Sequence, residues 1–183
     1  MLSGKTARGA GDALRGEGNP SMSPLTSSAP VTMEHVTIRS AKPFEAVRLA
    51  LEAALPRLDD AYVTLLANGK VDAARDLLES QAPLSIFGTR NHGDLLQIAG
   101  LRRKAVQYDI GNPLTASKMT RHVLSAALYA PIRVLLSEDP EGRAVFEYDR
   151  PRTSFGQFGE KDVDAVASAL DKRLGETLVE AAT

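Results

Sequence analysis

Three histidines, His35, His92 and His122, titrate nearest to neutral pH in this chain. Each has to be weighed as a general base, a proton carrier or a metal ligand. His92 is the best placed of them. It lies in Gly88-Thr89-Arg90-Asn91-His92-Gly93-Asp94, a polar, glycine-flanked stretch directly after an apolar run, and binding loops commonly follow buried strands. Asp94 could orient its imidazole, the partnership that general-base and metal-binding histidines need. Asp109 is a second carboxylate that could support His92, and Asn112 and Tyr129 could position a substrate or a ligand. The same residues also have a plain reading. Asn91 or Asp94 caps the next helix, and Asn112 before Pro113 is held extended and sets loop geometry. Met119 and His122 are one helical turn apart and could ligate a haem iron, although a core methionine beside an exposed histidine has the same spacing. No metal and no cofactor is expected.

Other chemistry is excluded or unsupported. The chain has no cysteine, which rules out disulfides, thiolate zinc, iron–sulfur clusters and thiol nucleophiles. Its net charge is −1 and it has no tryptophan, so neither a global field nor a stacking platform recruits nucleic acid. No apolar stretch approaches the roughly 18–20 residues needed to span a bilayer. Gly4-Lys5-Thr6 lacks the earlier glycine and the leading strand of a phosphate-binding loop. Thr115-Ala116-Ser117-Lys118 is only faintly like a Ser-x-x-Lys motif, with threonine in the nucleophile position and no companion motifs. Arg102-Arg103-Lys104 and Arg150-Pro151-Arg152 read as solvated strand ends that could contact an anion only by converging.

The elements that must position these residues follow from periodicity. Val36 and Ile38 alternate in a strand over 35–39. Phe44, Val47, Leu51 and Leu55 form one helical stripe after Pro43. Shorter helical pieces are expected from Asp59 or Asp60 to Leu66, and over 71–78. Residues 84–87 read as a buried strand ended by Gly88, residues 94–99 as a helical turn stopped by Gly100, and residues 104–110 as a strand with one solvated side. A helix over 115–124, capped by Thr115, follows Gly111-Asn112-Pro113. The strands 132–136 and 144–148 are joined through Asp139-Pro140-Glu141-Gly142, the clearest hairpin of the chain. Phe155-Gly156-Gln157-Phe158-Gly159 reads as a connection or a lid. The last helix carries Val163, Val166, Leu170 and Leu174 on one stripe, with Gly175 closing it.

This pattern predicts an α+β fold of two layers, a mixed or antiparallel sheet with helices mainly on one face. Residues 1–32 are rich in glycine, proline and serine with few bulky apolar side chains, and read as a disordered extension. Met22 and Met33 are both conceivable starts of the polypeptide. A single domain spans 33–175, and 176–183 form a C-terminal tail.

Three blocks of sequence resemble the domain of unknown function 302 family. They are Ile86 to Gly93 with its Asn91-His92 pair, Gly111-Asn112-Pro113 followed by a helix, and Leu128 to Leu135 leading into the hairpin and Glu147-Tyr148-Asp149-Arg150-Pro151. Family members often show an Asp-His pair where this chain has Asn91-His92. The resemblance implies a small α+β domain that dimerises, and no established activity. Matching positions for any shared site are His92, Gly111, Asn112, Pro113, Tyr129 and Pro131. Three functional readings follow. One is a cytoplasmic homodimer binding a small, partly apolar ligand through His92, Asn112 and Tyr129, with no chemistry. Another is an enzyme with His92 as general base, helped by Asp94 or Asp109. The last is an assembly subunit with the hairpin edge as its interface.

Overall fold

The computed structural model describes residues 24–183. Residues 1–23 of the expected N-terminal extension lie outside the described residues, and 24–34 carry no regular secondary structure. The chain then runs β1 (His35–Pro43), α1 (Phe44–Ala54), α2 (Ala61–Ala67), α3 (Val71–Ser80), β2 (Ser85–Asn91) and α4 (His92–Leu95). A 3₁₀ turn, Leu96–Ala99, leads to β3 (Ala105–Gly111) and α5 (Pro113–Thr120). A second 3₁₀ turn, Leu124–Tyr129, precedes β4 (Ile132–Glu138), β5 (Arg143–Asp149), α6 (Pro151–Gly156) and α7 (Lys161–Ala182).

The strands form one sheet in the order β1-β5-β4-β3-β2. Every neighbouring pair is antiparallel, so the fold is the expected two-layer α+β arrangement. Helices α1 and α7 lie against the sheet. Side chains alternate across a pleated strand, and Ile110, Tyr108, Val134, Leu136, Phe146 and Tyr148 point to the helical side, where they join Val47, Leu51, Leu170 and Leu174 in the core. Each such buried side chain contributes about 1.5–3 kcal/mol. The opposite face carries a cross-strand row of Thr37, Glu147, Leu135, Gln107 and Arg90, exposed at its two ends and half-exposed between.

The hairpin forms at the expected place. Asp139 Oδ1 accepts from the amides of Glu141 at 3.0 Å and Arg143 at 2.8 Å, and Gly142 takes the left-handed backbone the turn requires, with φ 79°. Its two strands are interior, because β5 also pairs with β1 and β4 with β3. The hairpin therefore offers no free sheet edge as an interface. The free edges are β1 and the outer half of β2; the inner half of β2 is covered where Ile86 exchanges backbone bonds with Pro56 and Leu58.

Four local expectations are corrected. Strand β2 does not stop at Gly88 but bulges there and continues to Asn91. Helix α5 begins at Pro113, and its cap is Asn112 rather than Thr115. The segment expected to be an aromatic loop is partly helix α6, and Phe155 is fully buried, not a lid. Finally, α7 does not close at Gly175. It runs through the supposed tail to Ala182, and Leu178 and Ala181 are core residues.

Candidate functional site

The end of the sheet at which β3 stops and β4 starts holds a pocket of about 270 Å³. Its floor is apolar: Phe87 from β2, Ile110 from β3, Met119 from α5, Ile132 from β4 and Leu170 from α7. Gly111, Pro113, Ala130 and Pro131 form one wall, and the Ala130–Pro131 bond is cis. A Cβ on Gly111 would stand in van der Waals contact with both neighbours, 3.4 Å from the Phe87 ring and 3.6 Å from Pro131 Cβ. Hydroxyl groups supply the polarity, from Tyr62 of α2 and from Thr115, Ser117 and Thr120 of α5. None of the lining residues is Asp, Glu, His, Lys or Arg.

Asn112 borders this pocket, but its side chain is engaged. Oδ1 accepts from the amides of Leu114 at 2.9 Å and Thr115 at 3.2 Å, and Nδ2 donates to the Ala82 carbonyl at 3.3 Å. That is an N-cap combined with proline at the first helical position, two signals for starting a helix. The residue ties α5 to the segment before β2 and thereby sets the pocket wall.

His92 is elsewhere. Because β2 and β3 run antiparallel, Asn91 faces Val106 while Ser85 faces Gly111, which puts His92 and Asn112 at opposite ends of the pair, roughly 20 Å apart at about 3.3 Å per residue. His92 is exposed, and Nε2 lies 3.3 Å from Gln107 Oε1. Asp94 does not orient it: Asp94 accepts from Asn91 Nδ2 at 2.7 Å, and its amide is capped by Asn91 Oδ1 at 3.0 Å. Asp109 is bonded to Arg90 at 2.8 Å and to Gln107 at 3.3 Å. The carboxylate–imidazole contact that a general base at His92 requires is absent, and the capping reading of Asn91 is the one observed.

Tyr129 sits at the same end as Asn112 but lies outside the lining of this pocket, with its ring edge-on to Phe155 and Phe158, both 6.1 Å away centre to centre. It packs α6 and the 3₁₀ turn together, and it borders a small cleft of about 60 Å³ near Arg133 and Asp149. Of the expected trio, then, Asn112 and Tyr129 share one end of the sheet and His92 does not join them. His35 pairs with Asp149 at 3.1 Å and Glu147 at 3.5 Å on the open face, and the hydrogen bonds to these carboxylates raise its pKa.

Met119 and His122 do not converge, since Met119 is buried against the pocket and His122 is exposed. His122, Glu160 and Asp162 bring their ligand atoms within 4.8 Å of one another. This is where a cation's ligands could gather, although they stand at the positive end of α7, which opposes a cation. A polar cleft of about 430 Å³ occupies the His92 end of the molecule, bordered by Arg48, Glu52, Asp94 and Lys104. There the Tyr108 hydroxyl donates to Glu52 at 2.8 Å, and burial pushes its pKa up. Arg48 bridges Glu45 and Glu52, both at 2.8 Å, so the charges of that cleft are largely paired internally.

The sequence model of the family described as "Domain of unknown function DUF302" matches residues 63–181. The chain belongs to the DUF302 family. A solved structure, that of an uncharacterized conserved DUF302 protein from Bacillus stearothermophilus, has the same fold, with a TM-score of 0.59 at 15% identity over 80% of this chain and 97% of that one. No curated protein matches the chain. Within this DUF302 domain the three resembling sequence blocks meet at the pocket. Phe87 comes from the first, Gly111 and Pro113 from the second, Ala130 to Ile132 from the third. Sequence reading missed Tyr62 and the α5 face. The available signal was Thr115-Ala116 followed by Met119-Thr120, pairs four apart that put one apolar and several small or hydroxyl side chains on one helix face.

Proposed function

We propose that this DUF302 domain binds a small, partly apolar molecule in the pocket beside Gly111 and Pro131 and performs no chemistry on it. The observation that carries this reading is the lining itself, apolar below and hydroxyl-bearing at the rim, with no carboxylate, imidazole, ammonium or guanidinium among its residues. Ligand sites are concave and mostly apolar with a few placed polar groups, whereas general acid–base catalysis relies most often on a histidine or carboxylate, and the Tyr62 phenol is the single titratable side chain in this lining. Native mass spectrometry of gently purified protein tests it. A co-purifying small molecule is expected in the wild type and is expected to be lost in Ala116→Phe, which fills the pocket from a half-exposed position on α5.

A second reading concerns assembly. Leu124 and Leu128 are 83% and 80% exposed on the 3₁₀ turn that leads into Ala130 and Pro131, which leaves two bulky apolar side chains of one short turn open to a partner. We infer that a second copy of the chain covers them, giving the homodimer that the family resemblance implies. Sedimentation at micromolar concentration is expected to show a dimer, converted to monomer by combining Leu124→Asp with Leu128→Asp. A monomeric wild type would end this reading.

A further inference from the structure

We propose that the occupant of the Gly111–Pro131 pocket is electrically neutral, a molecule of about ten non-hydrogen atoms with a compact apolar body and a hydroxyl or amide head. This rests on the binding reading above and goes beyond it by naming the ligand's chemical class.

A loop after a strand that opens a helix is a common place for an anion, because the first helical amides point outward and the helix dipole favours negative charge. At α5 that capacity is spent. Pro113 has no N–H, the amides of Leu114 and Thr115 donate to Asn112 Oδ1, and the amide of Ala116 donates to the Asn112 carbonyl at 3.0 Å. No cationic side chain replaces them. Lys118 and Arg173 line the neighbouring cleft, which Leu114 borders, and not this pocket. A carboxylate or phosphate placed among Phe87, Ile110, Met119 and Pro131 would exchange its water for neutral hydroxyl donors alone, with no cation to pair its charge, which is unfavourable. A cation fares no better, because no carboxylate lines the site.

A neutral head is served. Among the described residues the hydroxyls of Tyr62, Thr115 and Thr120 make no hydrogen bond to other side chains or backbone, whereas Ser117 already donates to the Leu114 carbonyl at 2.8 Å. Each free hydroxyl can donate and accept, which suits an alcohol or a primary amide. The size follows from the volume of about 270 Å³, set against a cavity of about 150 Å³ that accommodates benzene.

Met119 provides the readout, since its side chain lines the pocket and is 1% exposed, while Met33 stands outside the lining and serves as internal reference. The full chain carrying ¹³C-methyl methionine is titrated at pH 7.5 with hexanamide, with benzyl alcohol and with hexanoate, which matches hexanamide in shape but is charged. The expected result is a saturable shift of the Met119 methyl with at least one neutral probe, unchanged Met33, and hexanoate at least about tenfold weaker than hexanamide. The Met119 shift is expected to disappear in Ala116→Phe. Hexanoate binding at Met119 as tightly as hexanamide overturns the neutrality inference and leaves the binding reading standing. A Met119 methyl that responds to none of the three overturns the binding reading itself.

Discussion

Leu178→Ala is expected to destabilise the domain by about 2–5 kcal/mol, the range for emptying a buried leucine site. Leu178 is fully buried in the last turns of α7, among core residues contributed by the sheet and α1. Ala181 is buried one turn's spacing further on, and the Ala182 carbonyl accepts a bond from Ser40 Oγ on β1. The end of α7 therefore ties the edge strand β1 to the helical layer. For a domain of this size each kcal/mol moves the melting temperature by about 2–4 °C, so a loss of several degrees is expected in thermal or urea unfolding. A melting temperature unchanged from wild type would mean that residues 176–183 are the loose tail their sequence suggests.

Gly93→Ala carries the second large effect. Gly93 is buried, and a Cβ there would collide with the Arg103 carbonyl oxygen and stand 2.9 Å from the Ala105 amide nitrogen. Both obstacles are backbone, so no side chain can rotate away. The chain entering β3 would have to move from the α4 turn, breaking the Asn91–Val106 end of the ladder. Overpacking of this kind costs about 1–3 kcal/mol. The damage should be local: amide exchange is expected to accelerate around Val106 and Gln107 while Ile110 and the pocket end stay protected. Uniform acceleration across the sheet, or none, would contradict the placement of Gly93 against Arg103 and Ala105.

These two positions also show what sequence can and cannot reveal. The stripe of Phe44, Val47, Leu51 and Leu55 was legible because one helix face decides burial, and all of these residues are in the core. The hairpin was legible because Asp139 and Gly142 carry the turn chemistry locally. Gly175 misled, because glycine is the usual helix terminator. Here it sits inside the helix with its Cβ position 3.5 Å from the Tyr148 hydroxyl, an ordinary contact, and the helix continues past it. Gly88 misled similarly, facing Asp109 within a bulge rather than ending a strand.

The site was partly legible. Gly111, Asn112, Pro113 and Pro131 stood out as residues, and the structure brings them to one pocket. That His92 lies at the other end depends on β2 and β3 being antiparallel neighbours, a fact of long-range pairing that no local spacing encodes. The role of Asn112 was obscured for a different reason. The same amide that could meet a ligand is the group that caps α5, and only the bonds it makes distinguish the two.

The central claim, that the pocket between α5 and Pro131 is a binding site, is tested most directly by native mass spectrometry of gently purified wild-type and Ala116→Phe proteins. The expected result is a wild-type protein carrying an additional small mass, and an Ala116→Phe protein with the same circular dichroism but without that mass. An additional mass retained in Ala116→Phe, or no added mass in the wild type together with no response of Met119 to the neutral probes, would contradict it.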